Sequence, residues 1–174
     1  DTHCFGCTVN SGSSCHGEVV ESFDAKQNAQ EYYGEVLTSS EDLKTTACCT
    51  LEMIPQRIRA VMPYIADEIK DKYYGCGSPV PLYLENQRIL DLGWRSGRDI
   101  YILSKLVGAN GMVHGIDMTK NQIEIAKKYQ EIQQKRFEHE KVNTNFIHDY
   151  IENIDQHFKA NSMDIITSNC VINL

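Results

Sequence analysis

Hydrophobic and polar positions form two patterns that alternate along the chain from residue 88 onward. Short apolar runs predict buried strands at 88–93, 112–117, 144–148 and 163–169. Between them, apolar residues spaced three and four apart predict helices at about 98–106 and 119–138. The longer helix opens with Thr119 and Gln122, which are spaced as in a capping box, where each side chain satisfies a free backbone N–H. This alternation predicts an α/β fold with a doubly wound, mostly parallel sheet.

The part of the chain before residue 88 also shows helical spacing. Asp24 is placed to cap a helix over 25–37, and Pro55 stands at the first position of a second helix. The second helix is expected to bury the apolar residues that recur every three or four positions: Ile58, Val61, Ile65 and Ile69. Pro63 lies within this helix and is expected to kink it. Residues 1–20 are rich in Gly, Ser and Cys, lack this spacing, and are expected to form a disordered tail.

Composition and charge limit the possible partners. The 174 residues are 41% hydrophobic and 24% charged, which is ordinary for one globular domain. The net charge of -7 argues against nucleic acid or an anionic membrane as the main partner, because both attract clustered Lys and Arg. The sequence shows no apolar stretch of the roughly 20 residues that span a bilayer and no signal-peptide pattern. We therefore expect a cytoplasmic protein.

A glycine turn and an acid mark a candidate nucleotide site. Gly93 directly follows the first predicted strand, and Asp117 ends the second. Rossmann-like folds use such a turn to approach the ligand and such an acid to accept hydrogen bonds from ribose hydroxyls. The competing interpretation is an ordinary strand-to-helix turn and an acid that only ends a strand. Asp149, Tyr150 and Ile151 follow the third strand, where they would cover the adenine side of the same site.

Cysteines are the second candidate for chemistry. The seven are Cys4, Cys7, Cys15, Cys48, Cys49, Cys76 and Cys170. Cys170 ends the fourth predicted strand, at the sheet edge where ligands bind, and several thiols meeting there would suit a soft, thiophilic element. The alternative is that Cys170 is a small buried hydrophobic residue. The tail carries the residue types of a zinc site, but long Gly and Ser spacing separates them.

Several motifs follow one another in a distinctive order: YYGEVL, DLKTTACCT, YYGCG, ILDLG..SGRD, LSKLVG, VHGIDMTKNQIEIAKKY, NFIHDYIE and SNCVINL. In this order they resemble the arsenite methyltransferases, S-adenosylmethionine-dependent enzymes that methylate trivalent arsenic. The resemblance covers about residues 31–174. It implies that residues 21–174 are the N-terminal part of a Rossmann-like class I methyltransferase domain, truncated after the fourth strand, with residues 1–20 as the tail.

The resemblance also implies a site. The glycine-rich cofactor turn would include Asp91, Gly93 and Gly97, and the ribose and adenine contacts would come from Asp117, Met118, Tyr150 and Ile151. Arsenic(III) would be held, and its redox cycle served, by Cys48, Cys76 and Cys170. Arsenite and methylarsenite would be the substrates, glutathione or thioredoxin would reduce the cysteines again, and detoxification would be the outcome.

Two departures from the family pattern change the expected activity. The family turn reads DLGxGSGRD with a small residue and a glycine where this chain has Trp94 and Arg95. Trp94 is expected to pack against the sheet, whereas Arg95 would place a long cationic side chain where the backbone should approach the cofactor. The family also continues beyond SNCVINL. We therefore expect an incomplete or inactive fragment, and the alternative function is a non-catalytic, thiol-rich protein that binds arsenite or another soft metal.

Overall fold

Four parallel strands form the centre of the molecule. The computed structural model describes Gln30, residues 54–72, residues 78–169 and Val171. The strands are β1 (Arg88–Leu92), β2 (Met112–Asp117), β3 (Thr144–His148) and β4 (Ile165–Ser168), in the spatial order β3-β2-β1-β4. All three pairings are parallel, and β1 pairs with both β2 and β4. The predicted α/β fold with a parallel sheet is confirmed, and each strand matches its predicted range or is slightly shorter.

Helices lie on both faces of this sheet. They are α1 (Gln56–Arg59), α2 (Asp67–Asp71), α3 (Arg98–Val107), α4 (Lys120–Arg136) and α5 (Ile154–His157), with 3-10 turns at Met62–Tyr64 and Ile151–Asn153. Helix α3 buries most of its side chains, and its Tyr101 meets Phe146 of β3 edge-on at 5.7 Å. On the opposite face, Phe158 directly follows α5 and contacts His114 of β2 at 5.0 Å. The sheet is therefore doubly wound, as predicted.

The prediction of one kinked helix starting at Pro55 is wrong. The chain forms α1, then a 3-10 turn that contains Pro63, and then α2. Between the turn and α2, Ile65 and Ala66 are extended, with ψ of 137° and 140°. The four apolar residues of the pattern are nevertheless buried, at 5% exposure or less: Ile58, Val61, Ile65 and Ile69. The spacing therefore predicted which side chains enter the core, but proline and two extended residues divide the helix.

The predicted capping box at the start of α4 is also wrong. Thr119 is the N-cap residue, but no side chain makes a capping hydrogen bond there. The backbone N–H of Thr119 instead donates a 2.8 Å hydrogen bond to Oδ1 of Asp117, and the Thr119 side chain also bonds that carboxyl group. The nearby acid therefore takes the groups that the capping box would have used.

The segment 54–72 is fastened to α4 and to the turn after β1. Glu68 accepts hydrogen bonds from Lys128 at 2.7 Å and from Tyr129 at 2.5 Å, and Gln133 donates to the Tyr64 carbonyl oxygen. The Ser96 hydroxyl, which is buried in the turn, donates to the Ile69 carbonyl oxygen at 3.0 Å. Packing against this segment therefore supports the turn that carries the candidate site.

Some predictions lie outside the described residues. These are the tail over 1–20 and the helix over 25–37, of which only Gln30 is described, in helical conformation. In the part of the chain that the structure covers, no helix combines the length and the apolar character needed to cross a membrane.

Candidate functional site

The carboxyl ends of the four strands meet at one edge of the sheet. The turn after β1 is tied to β2 by a 2.9 Å hydrogen bond from the Gly93 N–H to the Ile116 carbonyl oxygen. The end of β3 is tied to β2 by a 3.1 Å bond from the Asp149 N–H to the Asp117 carbonyl oxygen. Strands β2 and β3 lie on one side of β1, and β4 lies on the other, so the strand order reverses between β1 and β4. Open α/β sheets bind ligands at such a point.

Both glycines predicted for the cofactor turn are required by its geometry. Gly93 and Gly97 have positive φ values of 67° and 86°, which favour glycine. A Cβ atom at Gly93 would lie 2.4 Å from a methyl carbon of Val171, which is too close for any side chain. A Cβ at Gly97 would lie 3.1 Å from the Cβ of Ala126 in α4. The two glycines therefore let the turn approach the side chain of Val171 after β4 and that of Ala126 in α4.

Trp94 belongs to the hydrophobic core. Its side chain is 5% exposed, and its ring lies 4.8 Å from that of Phe146 in β3. It also lies over Gly115 of β2, where an added Cβ would be 2.5 Å from the indole Cδ1. The expected packing of Trp94 against the sheet is confirmed, and Gly115 makes the space for it.

Arg95 adopts a backbone conformation that suits glycine better. Its φ is +55°, in a region that costs a residue with a Cβ about 1–2 kcal/mol. Its N–H donates a 2.9 Å hydrogen bond to Oδ2 of Asp117. Burial raises the pKa values of Asp99 and Asp117, and the positive charge of Arg95 opposes that rise in both. Arg95 is half-buried, and its positive charge acts on two carboxyl groups of the candidate site.

Asp117 stands at the end of β2, as predicted, but its carboxyl group faces inward. The side chain is 5% exposed. Its two oxygens accept the backbone N–H groups of Arg95 and Thr119, so the acid pins the turn after β1 to the start of α4. Burial raises the pKa of Asp117, and these hydrogen bonds limit the increase. A carboxylate has about four acceptor sites, and these two bonds and the Thr119 side chain use three of them, so one remains for a ribose hydroxyl.

Two more acids are buried at the same edge. Asp91 is 2% exposed and accepts a 2.9 Å hydrogen bond from the Thr167 hydroxyl of β4. Asp99, in the first turn of α3, accepts bonds of 3.1 and 2.9 Å from the guanidinium of Arg98. Burial raises the pKa of Asp91 well above its usual range, and repulsion from Asp99 and Asp117 adds to the increase. Asp99 already has a positive partner in the buried Arg98, so Asp91 and Asp117 are the carboxyl groups that would favour a further positive charge at this edge.

The residues predicted for the adenine side lie at the ends of β2 and β3. Met118 and Ile151 are half-buried, and Tyr150 is 43% exposed. The Met118 carbonyl oxygen accepts a 2.9 Å hydrogen bond from the amide of Gln30 and lies 3.1 Å from Nε2 of His148. The structure therefore brings Met118 and Tyr150 to the same side of the strand edge as Asp117.

Asp149 fixes the chain beyond β3. Its Oδ1 accepts hydrogen bonds of 2.7 Å from the Asn153 amide and from the Tyr150 N–H, and its Oδ2 lies 2.7 Å from Nε2 of His157. The bond from Asn153 and the one from His157 are the main causes that lower the pKa of Asp149 to about 2. The acid therefore holds the 3-10 turn that carries Tyr150 and Ile151 in place.

The low pKa of Asp149 predicts an acid-dependent loss of stability. Because the folded-state pKa is below the ordinary value of 3.8, the contribution of Asp149 is complete above about pH 4 and is lost as the pH falls toward 2. Asp149→Asn is expected to lose less stability than the parent between pH 5 and pH 2.5, as measured by the denaturant midpoint at each pH. Equal pH dependence in both proteins would contradict this role. Asp155→Asn, on the exposed α5, is the matched control.

All seven cysteines lie outside the described residues. The predicted arsenic ligands Cys48, Cys76 and Cys170 and the unassigned Cys49 are among them. Their role in the site stays a prediction.

Three residues at this edge were not anticipated from the sequence. Asp99 is part of the SGRD motif, and its position in the first helical turn after the glycines was the available signal. Thr119 was assigned a capping role, although an acid two residues earlier is a common competitor for its N–H. Gln30 carried no signal, because a contact across 88 residues leaves no local pattern.

Comparison with known proteins gives consistent results. The family model described as "Methyltransferase domain" matches residues 84–174. The human arsenite methyltransferase is 46% identical over 153 residues, which cover 87% of this chain and 41% of that protein. The arsenite methyltransferase of Aquipseudomonas alcaligenes is 43% identical over 149 residues, covering 85% and 42%. The chain thus spans about two fifths of the length of these curated relatives.

Among solved structures, this chain is similar to an arsenic (III) S-adenosylmethionine methyltransferase from Chlamydomonas reinhardtii. The TM-score is 0.67 at 42% sequence identity, over 69% of this chain and 40% of that one. The four-stranded parallel sheet and its glycine turn lie within a class I methyltransferase fold.

Proposed function

The chain belongs to the methyltransferase-domain family, and we propose that it is part of an enzyme that transfers a methyl group from S-adenosylmethionine to thiol-bound trivalent arsenic. The observation that carries this proposal is the position of Asp117. Its carboxyl group ends β2 beside the glycine turn after β1, at the sheet edge where this fold binds its cofactor. The similarity to arsenite methyltransferases supports arsenic as the acceptor.

The nucleoside end of the proposed cofactor site fits the residues present. The carboxylate of Asp117 can accept a ribose hydroxyl, and the half-buried Met118 and Ile151, with the exposed ring of Tyr150, offer apolar surface for adenine. Gly93 and Gly97 bring the backbone close to the ligand. When bound, S-adenosylmethionine supplies a methyl group that is activated by a positively charged sulfur.

The methionyl end fits less well. At this end the positive charge of Arg95 acts on Asp99 and Asp117, the carboxyl groups that would otherwise favour the positive charges of the cofactor. Like charges in a partly buried site repel each other. The positive charge of Arg95 therefore competes with the positive charges of S-adenosylmethionine for the same carboxyl groups.

For the substrate, Cys48, Cys76 and Cys170 are the proposed ligands of arsenic(III). Arsenic held by thiolates keeps a lone pair that can attack a methyl carbon in line with the departing sulfur. No general base is required, because the nucleophile loses no proton. The protein contributes by holding thiolates in place and by excluding water. Arsenite and methylarsenite would be the substrates.

Turnover in the cell would need a reductant. The attack oxidises arsenic(III) to arsenic(V), which two of the cysteine thiolates would reduce back to arsenic(III) as they form a disulfide. Glutathione or thioredoxin would then reduce that disulfide by thiol exchange. Detoxification of arsenic in the cytoplasm is the biological role that this chemistry suggests.

A second candidate function is favoured by Arg95. A protein whose cofactor turn carries a strained arginine with positive φ could bind arsenite through its thiols without methylating it. The two functions share the cysteine ligands and differ in whether the cofactor binds.

Arsenite binding and methylation can be measured together. The chain is incubated with arsenite and S-adenosylmethionine under reducing conditions and analysed by mass spectrometry. Methylated arsenic supports the enzyme, whereas a bare arsenic adduct supports the thiol-rich binder. Cys76→Ser and Cys170→Ser are each expected to weaken arsenite binding, because each removes a thiolate ligand. Cys7→Ser, in the N-terminal tail, is the matched control, and parent-like binding by both ligand variants would show that the proposed ligands are wrong.

A further inference from the structure

The side-chain amide of Gln30 joins the ends of β2 and β3. Its Nε2 donates a 2.9 Å hydrogen bond to the Met118 carbonyl oxygen, and its Oε1 accepts a 3.5 Å hydrogen bond from the Tyr150 hydroxyl. These partners are 88 and 120 residues away in the sequence. A residue from the first part of the chain therefore lies across the edge of the sheet, at the side where adenine is expected.

The two contacts differ in strength. The bond to Met118 has the usual length of an N–H to carbonyl hydrogen bond, whereas the contact with Tyr150 is at the outer limit. The Met118 carbonyl oxygen also lies 3.1 Å from Nε2 of His148, which supports that end. Tyr150 is 43% exposed, so its ring has room to move toward solvent. If the bridge opens, it opens first at Tyr150.

We propose that Gln30 is a latch over the nucleoside end of the cofactor site. The amide stays bound to the Met118 carbonyl oxygen, and its contact with the Tyr150 hydroxyl breaks when an adenosine group enters. The identity of the ligand rests on the proposed function, whereas the latch itself rests on the contacts of Gln30. Gln30 is thus a positioning residue that controls cofactor entry.

A glutamine suits this position because one amide donates and accepts at the same time. In Gln30→Glu the shape is kept, but the ionised carboxylate has no hydrogen to donate and faces the negative end of the Met118 carbonyl. Tyr150→Phe keeps the ring and removes only the weaker contact. The two variants therefore separate the contact with Met118, which stays formed, from the contact with Tyr150, which breaks.

Hydrogen–deuterium exchange of the full 174-residue chain, without ligand, tests the latch. Exchange is measured in peptides that contain residues 112–121 and 144–153. Gln30→Glu is expected to increase exchange in both peptides by about three- to tenfold, the effect of losing one hydrogen bond. Tyr150→Phe is expected to increase exchange only in the peptide of residues 144–153, and by less. Parent-like exchange in Gln30→Glu would overturn the latch.

Adenosine tests the ligand, because it lacks the methionyl group and the sulfonium charge that Arg95 opposes. Binding is followed through the fluorescence of Trp94, the single tryptophan of the chain. In Tyr150→Phe the association rate constant of adenosine is expected to rise about twofold, the lower end of what one hydrogen bond contributes, since one weak contact no longer has to break. An unchanged rate constant would overturn the gating role.

The outcomes also distinguish this proposal from the proposed function. Adenosine that protects neither peptide, in parent and variants, would contradict a cofactor site at this edge, while exchange in the free protein still decides whether Gln30 forms the bridge. Methylation of arsenite by a Gln30→Glu variant with parent-like exchange would leave the proposed function standing and remove the latch.

Discussion

Trp94→Ala is expected to lower the free energy of unfolding by about 3–5 kcal/mol, the usual cost of removing a large buried aromatic side chain. The indole is 5% exposed, packs against Phe146 and lies directly over Gly115. Neighbouring strands cannot close the resulting cavity, because Gly115 has no side chain to extend into it. Urea unfolding followed by circular dichroism measures the change.

Trp94→Phe is the matched control for this variant. Among the described residues, the indole Nε1 has no hydrogen-bond partner. Phenylalanine fills less volume, which lowers stability, but it also removes this unpaired buried donor, whose burial costs about 1–3 kcal/mol. We expect Trp94→Phe to lose less than half of the stability that Trp94→Ala loses. If alanine costs no more than about 1 kcal/mol, a typical change for a surface or tolerant site, Trp94 does not pack as described.

Arg95→Gly is expected to bind S-adenosylmethionine measurably in calorimetry, whereas binding by the parent is expected to fall below detection. The substitution removes a cation from beside Asp99 and Asp117 and opens space at the methionyl end of the site. Removing a like charge from a partly buried site is expected to raise the affinity by more than tenfold, which corresponds to about 1.4 kcal/mol. Glycine also relieves the positive φ of +55°, worth about 1 kcal/mol of folding stability.

Two further variants separate charge from backbone strain. Arg95→Lys keeps the charge and the Cβ, and is expected to bind no better than the parent. Arg95→Ala removes the charge but keeps the strained backbone, so it should gain affinity without gaining stability. Tight binding of S-adenosylmethionine by the parent would show that the Arg95 side chain turns away from the cofactor.

The strands and long helices could be predicted from the sequence because their patterns are local. The apolar runs that became β1 and β2 are bounded by glycines and acids, and the observed limits differ by at most a residue. The segment after Pro55 was harder, since the same apolar spacing is compatible with a helix and with a series of short turns. There the extended backbone of Ile65 and Ala66 rules out one continuous helix. This conformation depends on packing against α4 rather than on local backbone preference.

The candidate site was predictable in position but not in contacts. Strand ends and parallel pairing bring Gly93, Asp117 and Tyr150 to one edge, as expected. That the carboxyl group of Asp117 turns inward to hold the backbone of Arg95 depends on the shape of the turn. The contact between Gln30 and Met118 depends on long-range folding, which no local pattern encodes.

The pairing of β1 with β4 has a consequence for the order of folding. Asp91 and Thr167, which share a hydrogen bond across these strands, are 76 residues apart. During synthesis, at about 5–20 residues per second, β1 stays an edge strand for several seconds until β4 emerges. Its backbone groups are then exposed to pairing with other chains. Competition between the late pairing of β1 with β4 and aggregation, rather than the stability of the four-stranded sheet, is expected to set the yield of folded protein. Slower synthesis would lower that yield.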